Sequence, residues 1–261
     1  MEIQIKKTIK AGNSSAVVLP RAWLNKEVRV ELIKKSLKTM LLESLSIVES
    51  YIPLKEIIGV YLVGSYAREE QDESSDIDIL VITKNIDKEI INEGIYNILI
   101  ISEELLNQKL EEDLFPIGQM IKEAVPLLNL SYLNQIKIKV TKKNVKWYLE
   151  TTQDKISLTE RILKTLKNKD IQQVDNRIIY TLILRIRTLE IIDKLIKNKP
   201  YSKKEFIELI KRVSKSTKPY EGYLDVKNNL TKNKKSNIEE TEILLNYLKE
   251  QLIKVSKEVR N

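Results

Sequence analysis

Ile57-Ile58-Gly59-Val60-Tyr61-Leu62-Val63-Gly64-Ser65 and, ten residues on, Asp76-Ile77-Asp78-Ile79-Leu80-Val81-Ile82 decide how this chain folds. The first run is β-branched and apolar as far as Gly64, the pattern of a buried strand ending in a tight turn. The second alternates at its start. Successive side chains on a strand face opposite ways, so Asp76 and Asp78 fall on the same side. One strand face then carries two hard oxygen ligands beside a small turn. Carboxylate oxygens suit Mg²⁺, which holds few protein ligands, keeps waters and leaves positions for substrate phosphates. Asp-x-Asp alone also occurs in solvated loops; joined to a Gly-Ser turn between two strands it is far more specific.

Composition narrows the chemistry further. The 261 residues leave room for two or three small domains, and 42% hydrophobic with 31% charged residues describe a folded, soluble chain. The absence of cysteine excludes disulfides and thiolate metal sites; the absence of histidine excludes imidazole bases, His-ligated zinc and Ser-His-Asp triads. Catalysis must run on carboxylates, hydroxyls, Lys, Arg and oxygen-liganded metal. No long uncharged apolar run predicts a membrane span, and the charged start Met1-Glu2-Ile3-Gln4-Ile5-Lys6-Lys7 lacks a signal peptide's apolar core, so the expected location is the cytoplasm. The net charge of +8 is compatible with a nucleic-acid partner. The Lys-, Ile-, Asn- and Glu-rich composition is equally what an AT-rich genome encodes, and both readings stay open.

Gly64-Ser65-Tyr66-Ala67-Arg68 followed by Ser75-Asp76-Ile77-Asp78 resembles the minimal nucleotidyltransferases of the polymerase-β-like superfamily. The resemblance implies transfer of a nucleoside monophosphate from an NTP to a hydroxyl, with Mg²⁺ or Mn²⁺ held by Asp76 and Asp78 as catalytic and metal-binding residues. Gly64 lets the backbone approach the phosphates and Ser65 offers its hydroxyl and amide. Ser75 and Arg68 complete the expected nucleotide-binding set. Arg68 reaches either a phosphate or one of its acidic neighbours Glu69, Glu70, Asp72 and Glu73.

The sequence departs from that family in two places. Glu69 stands where the family commonly has glycine. The family's third carboxylate, on a following strand, corresponds to Asn97 in Tyr96-Asn97-Ile98-Leu99-Ile100, a neutral ligand that cannot act as a base. Asp87, Glu93, Glu103 and Glu104 are substitutes that no spacing selects.

Around this centre the expected fold class is α+β, in three parts. Residues 1–33 read as a small β module: Ile3 and Ile5 alternate with polar neighbours, Gly12-Asn13-Ser14-Ser15 is a turn, Ala16-Val17-Val18-Leu19 a strand ended by Pro20, and Val28-Arg29-Val30-Glu31-Leu32 alternates again. Residues 34–138 form the nucleotidyltransferase domain, a mixed sheet with flanking helices: a helix within 34–53, a strand over 96–101, a helix over 103–112 capped by Ser102, and a helix over 115–125 stopping before Pro126. Residues 139–261 form a helical bundle with helices over 145–166, 174–196, 203–214 and 238–255. Ser202-Lys203-Lys204-Glu205 has capping-box spacing, and Pro219, Gly222 and residues 227–237 mark a polar loop.

The pattern Lys10-Ala11-Gly12-Asn13-Ser14-Ser15-Ala16-Val17-Val18-Leu19-Pro20 with Trp23-Leu24 and Val28-Arg29-Val30 resembles the AbrB-type swapped-hairpin DNA-binding domain. In that family two chains interleave into one β-barrel. The resemblance implies a homodimer, with Lys6, Lys7, Lys10 and Arg21 meeting DNA phosphates and Asn13 near the turn. The same residues suit a module that only dimerises, because basic surface and edge protection need the same side chains.

Other residues invite blander expectations. Trp23, Trp147 and Phe115 read as core, and Tyr66 as packing for the Gly-Ser turn, with a bound base as its other role. Arg185 and Arg187, two apart, cannot share a helix face; one facing the cleft and a buried Arg-Glu pair are equal readings. Lys232, Lys234 and Lys235 read as solvated loop. Two functions follow. One is an enzyme acting on a protein, RNA or small molecule, with an antitoxin acting on a separate toxin as a refinement, since a histidine-free chain cannot itself be a HEPN ribonuclease. The other is an AbrB-type regulator whose nucleotidyltransferase domain senses nucleotide, a reading Asn97 favours.

Overall fold

A computed structural model describes residues 4, 6, 8–30, 35–72, 75–229 and 235–259. It divides into two compact units, residues 1–36 and 37–261.

In the first unit, β1 (Ile9–Ala11) and β2 (Ser14–Ala16) form an antiparallel hairpin around Gly12, whose φ of +61° suits glycine. The expected strand over residues 16–19 stops at Ala16, and Val28-Arg29-Val30 has no regular structure. Val17-Val18-Leu19 and Val28-Arg29-Val30 pair with no strand among the described residues, and Val18 and Val30 are exposed. Ile3, Ile5, Lys7, Glu31 and Leu32 lie outside the described residues.

The second unit starts with α1 (Leu37–Glu49), which buries Met40, Ser44 and Val48. Then come β3 (Ile57–Val63), the single turn α2 (Gly64–Ala67), β4 (Ile77–Thr83), β5 (Lys88–Glu93) and β6 (Tyr96–Ser102). They are followed by α3 (Glu103–Glu112), α4 (Ile117–Glu123), β7 (Val125–Leu128) and α5 (Leu130–Gln135). The sheet is mixed, as the α+β reading requires: its order is β5-β6-β4-β3-β7, with β4 and β6 parallel and the other pairs antiparallel.

Alternation along the strands builds two apolar layers. Val60, Leu62, Ile77, Ile79, Val81, Ile98 and Ile100 pack towards α1. Tyr61, Val63, Leu80, Ile82 and Ile101 pack towards Leu106 of α3 and Ile117 and Ile121 of α4. By the same period of two, Asp78 shares the face of Leu80 and Ile82, and Asn97 that of Leu99 and Ile101.

Two strands of this sheet escape the sequence reading. Ile91 is the one buried position of β5, so its alternation is faint. In β7, Pro126 suggests a stop, yet β7 is an edge strand, where a missing N–H is tolerated. The expected cap holds: the Ser102 hydroxyl accepts from the Leu105 amide at 3.1 Å.

The helical part comprises α6 (Lys142–Asn168), β8 (Gln173–Asp175), α7 (Asn176–Ile196), α8 (Lys203–Ser214), α9 (Lys218–Lys227), β9 (Lys235–Asn237) and α10 (Ile238–Glu258). Helix α7 is its axis, burying Ile179, Leu182, Ile183, Ile186 and Leu189 in a core that reaches Leu114 beside α4. The stretch holding Pro219 and Gly222 is the helix α9, not a loop. Proline in its first turn gives up an N–H that has no intrahelical partner, and Gly222 lets the helix approach Asn176. Ser202 caps α8 through the Glu205 amide at 3.2 Å, but the Glu205 carboxylate turns to Lys194 instead of closing the box. Phe115 is half-buried against this core and Trp23 is half-buried. Trp147 is not core: it is 61% exposed. Lys232 and Lys234 lie outside the described residues. Among the described residues, no helix is long and apolar enough to cross a membrane.

Candidate active site

At the end of β3, Val63 pairs with Asp78, and in the parallel pair β4–β6 Asp78 lies beside Asn97. Gly64 then turns the chain with φ +72°, and a β-carbon there would come within 2.1 Å of Asp78 Oδ2. Both observations demand glycine. The turn is closed by the Arg68 amide donating to the Gly64 carbonyl at 3.3 Å and the Glu70 amide to the Ser65 carbonyl at 2.9 Å. Glu69 adopts φ +56°. A left-handed residue with a side chain is disfavoured by roughly 1–2 kcal/mol, so the geometry itself explains why glycine suits this position.

Asp76, just before β4, is exposed, and Asp78 is half-buried. They converge on one amide: Asn97 Nδ2 donates to Asp78 Oδ1 at 3.3 Å and approaches Asp76 Oδ2 at 3.4 Å. Burial raises the Asp78 carboxyl above its ordinary value; the Asn97 hydrogen bond and Arg68 pull it down, and Asp76 pushes it up.

The acidic substitutes are committed elsewhere or exposed. Asp87 accepts from the Ser102 amide and hydroxyl at 2.6 and 3.2 Å, Glu103 accepts from the Tyr132 hydroxyl at 2.9 Å, and Glu93 and Glu104 face solvent. Among the described residues, no three or more acidic side chains converge closely enough to hold a metal ion between them. Ser75 closes a turn with Asp72, accepting from its amide at 2.9 Å and donating to its carboxylate at 3.1 Å.

The structure adds residues that no motif announces. Glu123, the last residue of α4, has a side chain only 4% exposed. It accepts from the Gly64 amide at 2.8 Å, from Arg68 Nη1 at 2.6 Å and from Gln119 at 3.2 Å. Arg68 also donates to Glu70 at 2.9 Å, so it clamps two carboxylates. Glu70 continues to α8, accepting from the Ser202 hydroxyl at 2.7 Å and the Lys203 and Lys204 amides at 2.9 and 3.2 Å. The Gly-Ser turn is thereby tied to both α4 and the helical part.

Tyr201 is buried near two guanidinium groups, Arg68 at 5.8 Å and Arg187 at 5.3 Å from its ring centre. Arg187 Nε is buried without a hydrogen-bond partner among the described residues. Arg185 points elsewhere, as a two-residue offset on a helix dictates: it donates to Thr151 at 2.9 Å and lies 5.8 Å from the Trp147 ring. Neither arginine forms the Arg-Glu pair among the described residues.

A family model, described as the nucleotidyltransferase domain, matches residues 43–240, more than half of the chain and all of the site above. The chain belongs to this family. The nucleotidyltransferase reads as an enzyme that transfers a nucleoside monophosphate, and the sequence resemblance on Gly64-Ser65 and Asp76-Ile77-Asp78 leads to the same family. Residues 1–36 lie outside the match. Among solved structures, the chain is similar to a nucleotidyltransferase-like protein from Exiguobacterium sibiricum, with 14% identity over 84% of this chain and 77% of that one and a TM-score of 0.37. It is also similar to a spectinomycin adenyltransferase from Enterococcus faecialis solved with ATP and spectinomycin, with 15% identity over 81% of this chain and 99% of that one and a TM-score of 0.35. A search of curated proteins finds no match.

Proposed function

We propose that this nucleotidyltransferase uses Mg²⁺ or Mn²⁺ to move a nucleoside monophosphate from an NTP to a hydroxyl on a protein, RNA or small molecule. The observation that carries the reading is the convergence of Asp76 and Asp78 beside a glycine turn whose missing β-carbon leaves room for Asp78 Oδ2.

The donor set fits a hard divalent cation: two carboxylates with a carboxamide between them, all oxygen-bearing and free of sulfur or imidazole. A bound cation supplies charge neutralisation at the α-phosphate and the departing pyrophosphate. Asp76 and Asp78 would hold it. Asn97 keeps the two carboxylates together through its amide and, turned over, offers its carbonyl. Ser65 and the adjoining backbone would face the polyphosphate. Arg68 acts through Glu123 and Glu70, holding the turn in shape. The acceptor oxygen forms its bond to the α-phosphorus as the bond to pyrophosphate breaks. Asn97 cannot take the acceptor's proton, so proton removal falls to a carboxylate or solvent.

Residues 1–36 support a second element of the reading, an AbrB-like module that pairs with another copy and contacts DNA. Lys6, Lys10, Asn13 and Arg21 are all exposed there. In an antitoxin-like arrangement the acceptor would be a separate protein and the module would act on its own locus. The competing account, a nucleotide-sensing regulator without transfer, is favoured by the neutrality of Asn97.

Incubation with labelled ATP, GTP, CTP or UTP, Mg²⁺ or Mn²⁺ and cell extract tests the reading, with Asp76→Ala and Asp78→Ala beside it. Label transfer by the natural chain alone supports it; transfer by all samples or by none sinks it. A gel shift on upstream DNA at two salt concentrations tests the module.

A further inference from the structure

Helices α6 and α10 run side by side. Glu160 meets Lys249 at 2.6 Å and Lys167 meets Glu242 at 2.6 Å, so rising positions on one helix meet falling positions on the other and the pair is antiparallel. Towards the start of α6 and the end of α10 they leave an open groove of about 810 Å³. Its floor is apolar, with Leu149, Ile156 and Leu252, and Ile253 stands 57% exposed at its side. Its rims are basic: Lys142 and Lys146 on α6, Lys249 and Lys257 on α10.

The acidic residues in the groove do not cancel that charge. Glu150 is within 3.8 Å of Lys146 and Glu160 within 2.6 Å of Lys249. That leaves Lys142 and Lys257, both exposed and making no ion pair among the described residues. None of the groove's residues belongs to the candidate active site.

We infer that this groove docks an acidic amphipathic helix of a partner protein. A concave floor of aliphatic side chains between two helices takes the apolar stripe of a third, read as anchors at i, i+3 or i+4, and i+7. Lysine rims then select glutamate or aspartate beside the stripe, through charge complementarity. The alternatives fit less well. A second copy would set lysine rim against lysine rim in a chain already carrying +8. A phosphate backbone would satisfy the lysines and leave the floor bare, and a bilayer is too flat to reach it.

The test uses the full chain and a labelled helical peptide with leucines at the anchor spacing and glutamates beside them, read by fluorescence anisotropy. The expected result is saturable binding that weakens as salt rises. It should fall at least about tenfold in Ile253→Asp and in the double variant Lys142→Glu, Lys257→Glu. All three side chains are exposed, so these variants keep the fold, which circular dichroism checks, and label transfer from NTP stays unchanged. The matching peptide with lysine for glutamate should not bind. The inference is overturned by absence of saturable binding, by equal binding of the lysine peptide, or by binding indifferent to Ile253→Asp. It is equally overturned if single-stranded RNA or anionic-lipid vesicles bind in place of the peptide and lose that binding in the same variants.

Discussion

The carboxylate of Asp78 fills the space where a side chain on Gly64 would begin: a β-carbon on Gly64 would lie 2.1 Å from Asp78 Oδ2. The turn and the acid are thus one construction, and Gly64→Ala disturbs both. The variant strains a left-handed backbone by about 1–2 kcal/mol, and relief of the clash moves Asp78. Displacement of a catalytic group by about an ångström lowers rate roughly 100-fold. The expected outcome is a melting temperature lower by a few degrees with label transfer reduced by about that factor, measured on the same preparation. Transfer at the natural rate would show that Asp78 does not act from this position.

Asn97 sits between two acids as a hydrogen-bond donor, and Asn97→Asp replaces that donor with a third negative charge. In metal-free buffer the variant should be less stable, because like charges placed side by side across a strand pair repel. Added Mg²⁺ or Mn²⁺ should reverse the loss and raise the melting temperature more than in the natural chain, since tighter binding to the native state stabilises it further. Melting curves with and without metal decide the matter. An equal metal response in both proteins would mean that position 97 does not face the cation.

How much of the site is legible in the sequence follows from what local sequence encodes. The strand to Val63, the glycine turn and the same-side placement of Asp76 and Asp78 rest on short-range periodicity, and the position of Asn97 on the family resemblance; each has its place in the structure. Glu123 does not: it lies 59 residues from Gly64 and reaches the turn only because α4 covers that face of the sheet. Glu70 likewise meets Ser202 from 132 residues away. Punctuation misleads where context changes its meaning, since Pro126 sits harmlessly on an edge strand and Pro219 starts a helix. Trp147 departs from the core expectation because size predicts burial only on average, whereas this indole leans edge-on against Tyr148 with much of its surface in solvent.

Glu70 gives a pH signature. Its burial pushes the carboxyl up, but hydrogen bonds from the Ser202 hydroxyl, the Lys203 amide, Arg68 and the Lys204 amide outweigh that and hold it below its ordinary value of 4.5. A carboxylate depressed in the folded state adds stability that is present above its unfolded value and lost as pH falls through the folded one. Glu70→Gln should therefore cost about 2 kcal/mol at neutral pH, the scale of hydrogen bonds to a charged group. The gap should close as pH drops below 4.5. Denaturant titrations of both proteins across that range provide the check, and a gap that persists in acid would remove the charge from the explanation.

Arg68 and Glu123 form the most enclosed ion pair at the turn, 2.6 Å apart with side chains 12% and 4% exposed. Breaking such a pair from one side leaves the other charge buried and is expected to cost about 3–5 kcal/mol. Arg68→Met, which strands Glu123 and takes one partner from Glu70, should approach that cost; Glu123→Gln leaves Arg68 its bond to Glu70 and should cost less, and the double variant, with no charge left at position 123, should lose less than their sum. The coupling from the double-mutant cycle should exceed about 1 kcal/mol, above the scatter expected of independent sites. Label transfer gives a second readout, since Glu123 also anchors the Gly64 amide at 2.8 Å. Restoring stability in the double variant should not restore the rate, because a neutral carboxamide oxygen at position 123 holds that amide less tightly than a carboxylate does. Additive stability losses would show the pair to be screened, and full recovery of transfer would show that the anchor on Gly64 has no part in shaping the site.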